Sequence, residues 1–96
     1  MAPTTTTLNG PPTVSAISKS CSGSTCTLSV TASDAQGPVT YNWTINGSPY
    51  STSSSFTATA PANDTYNIAV VVTDNTSQTT TRTTTVVCCG SPRSCA

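Results

Sequence analysis

The chain has 96 residues, enough for one small domain, and carries only three basic and three acidic side chains, no histidine and no net charge. Lys19, Arg82 and Arg93 balance Asp34, Asp64 and Asp74, which leaves no electrostatic footprint for nucleic acid or an anionic membrane. Serine and threonine together exceed a third of the chain. That neutral, hydroxyl-rich mix fits an extracellular surface, and the steady supply of Val, Ile, Leu and aromatics over residues 13–87 speaks against disorder.

Residues 1–12 read as a linker. The run 4-TTTT-7 has no apolar partner to bury, and Pro11-Pro12 removes backbone donors. The opening Met1-Ala2-Pro3 looks like a remnant of excision from a longer chain, so the lack of a secretory leader carries no information about export. No stretch approaches the roughly 20 apolar residues of a membrane helix.

From residue 13 onward apolar and polar residues alternate. Thr13–Ser18 carries Val14 and Ala16 on one face. Thr25–Ala32 puts Cys26, Leu28, Val30 and Ala32 together, and Val39–Ile45 does so with Val39, Tyr41, Trp43 and Ile45. Ser54–Ala60 aligns Phe56, Ala58 and Ala60; Thr65–Thr73 aligns Tyr66, Ile68, Val70 and Val72. Gln78–Val87 is a threonine-rich run ending on Val86-Val87. A period of two is the half-buried strand pattern, and β-branched residues suit a pleated surface better than a helix. Turn signals fall between the runs at 34-DAQGP-38, 46-NG-47, 61-PAND-64 and 74-DNTS-77. The pattern predicts an all-β, antiparallel sandwich of about seven short strands over residues 13–89, followed by a cysteine-containing tail at 90–96.

Within that frame Trp43 belongs to the core. It shares a face with Tyr41 and Ile45, while Asn42 and Thr44 point the other way. Tyr50 follows the Asn46-Gly47 hairpin signal and Pro49, which places it at a sheet edge as the candidate ligand contact. Tyr66 heads the most apolar strand just after 61-PAND-64, the position of a tyrosine corner, whose hydroxyl reaches back to a nearby backbone group. The run 79-TTTRTTT-85 reads as a solvated edge strand with Arg82 discouraging edge-to-edge pairing; a twisted strand is a poor base for an ice-binding threonine row.

The segments 41-YNWTING-47 and 63-NDTYNIAVVVTDN-75 resemble bacterial and archaeal PKD domains and their bacterial Ig-like relatives. In those domains a strand bearing the central Trp leads into a hairpin. A later strand opens on a turn and a Tyr and closes on an Asp-Asn or Asp-Ser turn. Trp43, Gly47, Tyr66, Ile68, Val70, Val72, Asp74 and Asn75 occupy these positions. The resemblance covers about residues 13–87 and implies an Ig-like sandwich. The chain departs from the family's W-D-F-G-D-G segment, reading 43-WTING-47, and so lacks the acidic residue associated with the calcium site of some members.

Five cysteines are disulfide candidates: Cys21, Cys26, Cys88, Cys89 and Cys95. In an Ig-like sandwich the turn between the first strands lies at the same end as the close of the last strand. The preferred expectation is therefore two disulfides joining the 21–26 hairpin to the 88–95 tail, with one thiol left over and Cys88 and Cys89 facing opposite sides. A Cys21–Cys26 bridge is the main rival. A long-range bridge closing some sixty residues is worth roughly 4 kcal/mol. Disulfides imply an oxidising compartment. Zinc is disfavoured, because the spacings are C-x₄-C, C-C and C-x₅-C and no histidine is present.

Catalysis has little to work with. There is no Glu or His. Asp34, Asp64 and Asp74 each sit in an expected turn, where Asp bonds its own backbone more readily than it ligates calcium. No metal or other cofactor is expected. Sequons at Asn42, Asn46, Asn63 and Asn75 are what chance supplies in so hydroxyl-rich a chain. The expectation is a non-catalytic module of a larger secreted or cell-surface protein, with other domains of that parent as partners. It would serve as a spacer or as a weak contact with polysaccharide or a cell-surface protein. The alternative is a carbohydrate-binding module built on Tyr50 and neighbouring turns.

Overall fold

The computed structural model describes residues 10–33 and 37–96. Ten strands occur among them, seven of four residues or more and three of only two. They are β1 (Thr13–Val14), β2 (Ser18–Ser22), β3 (Thr25–Ser29), β4 (Ala32–Ser33), β5 (Thr40–Ile45), β6 (Ser48–Ser51), β7 (Ser55–Thr59), β8 (Thr65–Thr73), β9 (Thr79–Cys89) and β10 (Ser94–Cys95). A five-stranded sheet in the order β10-β9-β8-β5-β6 faces a three-stranded sheet β2-β3-β7, and β1 pairs with β4 in a small third sheet. All pairings are antiparallel. This is an Ig-like β-sandwich.

The alternation read from the sequence is the burial pattern of the strands. Along β8, Ile68, Val70 and Val72 are buried while Thr65 and Asn67 are exposed. Leu28, Trp43, Val70 and Val72 are the largest fully buried side chains. The indole sits edge-on to Phe56 of the opposite sheet, ring centroids 4.9 Å apart at 70°, and its Nε1–H donates to the Ser53 carbonyl at 2.6 Å. A buried indole needs such a partner, and here the loop entering β7 supplies it.

Local turn chemistry sets the registers. Asn46 and Gly47 both have positive φ, 50° and 84°, so Ile45 lies opposite Ser48 across a two-residue connection. Those angles match the twist of the flanking strands and favour the Asn-Gly pair. Asn46 also locks the hairpin to β8: its N–H donates to Asn67 O and its Oδ1 accepts from Asn67 N–H, each at 2.8 Å.

At the head of β8 the Tyr66 hydroxyl donates to Ala62 O at 2.7 Å and accepts from Ala62 N–H at 3.3 Å. Replacing Tyr66 with phenylalanine should keep the fold and lower the unfolding free energy by about 1 kcal/mol or somewhat more, the worth of a net hydrogen bond. A urea midpoint equal to that of the parent chain would remove the corner from the stability account.

At the far end of β8, Asp74 is buried. Its Oδ1 accepts from Thr76 N–H (2.8 Å), Thr76 Oγ1–H (2.7 Å) and Gln78 N–H (3.0 Å), closing the β8–β9 hairpin. Asp64 Oδ1 takes Thr65 N–H at 2.8 Å. Both are turn aspartates. Nine-residue β8 lies between them, holding the two carboxylates roughly 30 Å apart, so they cannot share an ion. Asp34 lies outside the described residues, as do residues 1–9 of the expected linker.

One expectation needs correcting. The disulfides do not join the 21–26 hairpin to the tail. Cys21 bonds Cys26 and Cys88 bonds Cys95, both with Cα atoms 4.0 Å apart, and Cys89 is an exposed free thiol. The cause is register. Cys21 stands directly opposite Cys26 in the β2–β3 hairpin, and residues 94–95 run back along β9 so that Cys95 stands opposite Cys88. The two groups do meet at one end of the sandwich, where Cys95 N–H donates to Gly23 O at 2.7 Å, but through the backbone.

The threonine-rich run 79–85 is an edge as expected: over these residues β9 pairs only with β8, and Arg82 is exposed there. In register with buried Val70, Arg82 lies on the inner side of its sheet, and its Nε–H donates to Val14 O at 3.0 Å.

Candidate functional site

The three cations share one habit. Lys19 Nζ donates to Thr85 O at 2.6 Å, Arg82 reaches Val14 O, and Arg93 donates to Ala60 O at 3.2 Å and to Asn63 Oδ1 at 3.1 Å. Asn63 Nδ2 completes that cluster by donating to Gly90 O at 3.0 Å. Each cation thus stitches one part of the sandwich to another through backbone carbonyls. Lys19 and Arg82 do so between strands of different sheets, where an open edge would otherwise leave carbonyls to solvent.

With its charges spent this way, the outer surface is left to hydroxyls. On the three-stranded sheet every outward position is Ser or Thr. The cross-strand rows are Ser18–Ser29–Ser55, Ser20–Thr27–Thr57 and Ser22–Thr25–Thr59. Rows follow each other at about 6.7 Å and strands at about 4.8 Å, the spacings of any pleated sheet. Within the grid, the hydroxyls of Thr25 and Thr59 pair at 3.1 Å and those of Thr27 and Thr57 at 2.9 Å. The five-stranded sheet repeats the theme with Thr40–Thr73–Thr79, Asn42–Val71–Thr81 and Thr44–Ala69–Thr83. Both broad faces are uncharged and mostly hydroxylic. Among the described residues the large apolar side chain exposed on these faces is Val87, which stands opposite Thr65 near the end of β9.

Tyr50 lies on β6, the edge of the five-stranded sheet, and is half exposed at 52%. Its ring leans on Phe56, centroids 5.1 Å apart at 48°, and continues the aromatic contact that starts at Trp43. Among the described residues the other aromatics, Tyr41, Trp43, Phe56 and Tyr66, are buried or partly so. Tyr50 therefore has no second exposed ring beside it on which a pyranose could stack. Behind it lies an apolar cavity of about 230 Å³ between the edges β6 and β7.

No cluster of three or more His, Cys, Asp or Glu suited to a metal occurs among the described residues, and no helix there is long and apolar enough to cross a membrane. Sequence reasoning brought Cys21, Cys26, Cys88 and Cys95 to one end and placed Trp43, Tyr66 and Tyr50 separately. It missed the hydroxyl grid, because β2 (18-SKSCS-22) carries no apolar alternation to announce a strand. For the disulfides it preferred the wrong connectivity, held the observed Cys21–Cys26 bridge as the rival and missed Cys88–Cys95, although a signal was there. Counting outward from the two-residue turn Gly23-Ser24 puts Cys21 opposite Cys26, and counting outward from 90-GSPR-93 puts Cys88 opposite Cys95.

The fold is that of a PKD domain. The chain is similar to the PKD1 domain of Vibrio anguillarum Epp, with a TM-score of 0.69 and 23% identity over 80% of this chain and 92% of that one. It is equally similar to the PKD1 domain of the Vibrio cholerae metalloprotease PrtV, with a TM-score of 0.70 and 22% identity over 80% of this chain and 95% of that one. In sequence, 56 residues are 46% identical to a decoration protein of Escherichia phage T5, a match covering 55% of this chain and 34% of that protein. The chain therefore spans about a third of the length of this curated relative. No protein-family model matches the chain.

Proposed function

We propose that the chain is a non-catalytic display module, the solvent-facing part of a larger protein that coats the outside of a particle or cell. The observation that carries this reading is the neutral hydroxyl cover on both broad faces, with all three cations turned back onto the module's own carbonyls. Such a surface stays hydrated. It offers neither the apolar core of an obligate interface nor the charge that would fix a partner electrostatically. Two disulfides support an oxidising location outside the cytoplasm. The partial match to a phage decoration protein, of which this chain covers about a third, supports a place within a larger surface-decorating protein.

Deletion tests the reading. Removing the module from its parent should leave the parent's assembly or attachment intact and lose only the reactivity of antibodies raised against the module. Collapse of the assembly on deletion would assign the module a structural interface instead. The carbohydrate reading draws its support from the exposure of Tyr50 alone. Retention on cellulose or chitin that disappears in Tyr50→Ala would favour it.

A further inference from the structure

The cavity behind Tyr50 has a physical origin in the chain. The three-stranded sheet is two strands narrower than its partner, and its edge β7 carries Phe56 and then Ala58 on its inner face, followed by Ala60 just past the strand. The two alanines leave unfilled the space that a side chain the size of Phe56 would occupy. The result is a half-open pocket of about 230 Å³, walled by Leu28, Ile45, Ala58, Ile68 and Val86, with Tyr50 on its exposed rim and Ser24, Asn46, Thr59 and Tyr66 among its lining. Leu28, Ile68 and Val86 at its floor are each less than 5% exposed, so the void enters the core rather than skirting it.

We infer that this cavity is a binding site for a small, uncharged, single-ring aromatic compound. Three properties of the site select that class. No charged side chain lines the cavity, and a charge brought into it would lose its hydration without compensation. The lining is dominated by aliphatic carbon, which cannot hold ordered water, whereas an apolar cavity of about 150 Å³ already accepts benzene. The volume here exceeds that and falls short of the roughly 300 Å³ at which sites for drug-sized ligands begin. A substituted benzene fits between these limits and places its edge against Tyr50, whose ring is itself braced by Phe56 at 5.1 Å. A sugar does not match, because its hydroxyls would find few partners inside. The site is independent of the display role proposed above: the two broad faces are on the outside of the sheets, and the cavity opens at one side between them.

Toluene is the probe. Added to isotopically labelled protein with its disulfides intact, it should shift the backbone and methyl resonances of Ala58, Ile68 and Val86 saturably, while leaving β2 and the outer threonines unmoved. Ala58→Leu places a larger apolar group in the void and should weaken the toluene response at least about tenfold, with a well-dispersed spectrum. Ala60→Val fills the same space from the next inward position and serves if the leucine variant does not fold. Absence of a saturable shift up to the solubility limit of toluene would overturn the assignment. So would an undiminished response in a folded filling variant, or shifts spread evenly over the whole molecule.

Discussion

Trp43→Ala should destabilise the domain by about 3–5 kcal/mol, the range for deleting a large aromatic from a packed core. The indole is fully buried, meets Phe56 edge-on across the sandwich, and donates to Ser53 O. Truncation removes the contact that joins the two sheets at their centre and leaves the Ser53 carbonyl without its donor. Small domains are stable by only about 5–15 kcal/mol in total, so a loss of this size leaves a substantial unfolded fraction at ambient temperature. Trp43→Phe keeps a ring but not the donor and should fall between the two. Urea unfolding followed by far-ultraviolet circular dichroism measures both. A midpoint for Trp43→Ala within about 1 kcal/mol of the parent would mean that the sheets close around something else.

The second large effect is reduction of the disulfides. Each bridge closes a short hairpin, with sequence separations of 5 and 7, rather than a loop of some sixty residues. The chain-entropy estimate then gives about 2 kcal/mol for each and about 4–5 kcal/mol for both, whereas a long-range pair would give roughly twice as much. The two bridges are joined through Cys95 N–H to Gly23 O, so losses from the single variants Cys21→Ser and Cys95→Ser should not be strictly additive. Connectivity can be read without stability data. Trypsin cuts after Lys19, Arg82 and Arg93, so Cys88–Cys95 links peptide 83–93 to 94–96, while Cys21–Cys26 stays inside 20–82. A non-reducing map should show the first pair joined and 20–82 free of 83–93. A linked 20–82 and 83–93 would restore the hairpin-to-tail arrangement.

The parts of the fold legible in the sequence are those specified within one strand or one turn. Trp43 announces its burial by the polar residues on either side of it, Asn46-Gly47 its turn by the positive φ both residues tolerate, and Tyr66 its corner by following 61-PAND-64. What was illegible depends on two strands meeting in a particular register. Lys19 sits in a strand with no apolar period, and its role appears only when β2 is laid beside β9, 66 residues away at Thr85. Arg82 has threonines on both sides, so nothing local reveals that its side is the inner one; Val70, opposite it, decides that. The hydroxyl grid is a property of three strands together, since each of β2, β3 and β7 alone shows only serines and threonines at alternate positions. The cavity is less legible still, because alanine at 58 and 60 is compatible with a filled core until the facing sheet is in place.

The functional reading stands on both broad faces being left to solvent. Lysines placed at their centres, Thr27→Lys and Thr81→Lys, provide the direct measurement: acylation by an amine-reactive biotin ester in the intact parent assembly, compared with the isolated module. Display predicts equal labelling of both sites in the two settings. Protection of either lysine in the assembly would show that face to be buried against a partner and would contradict the account.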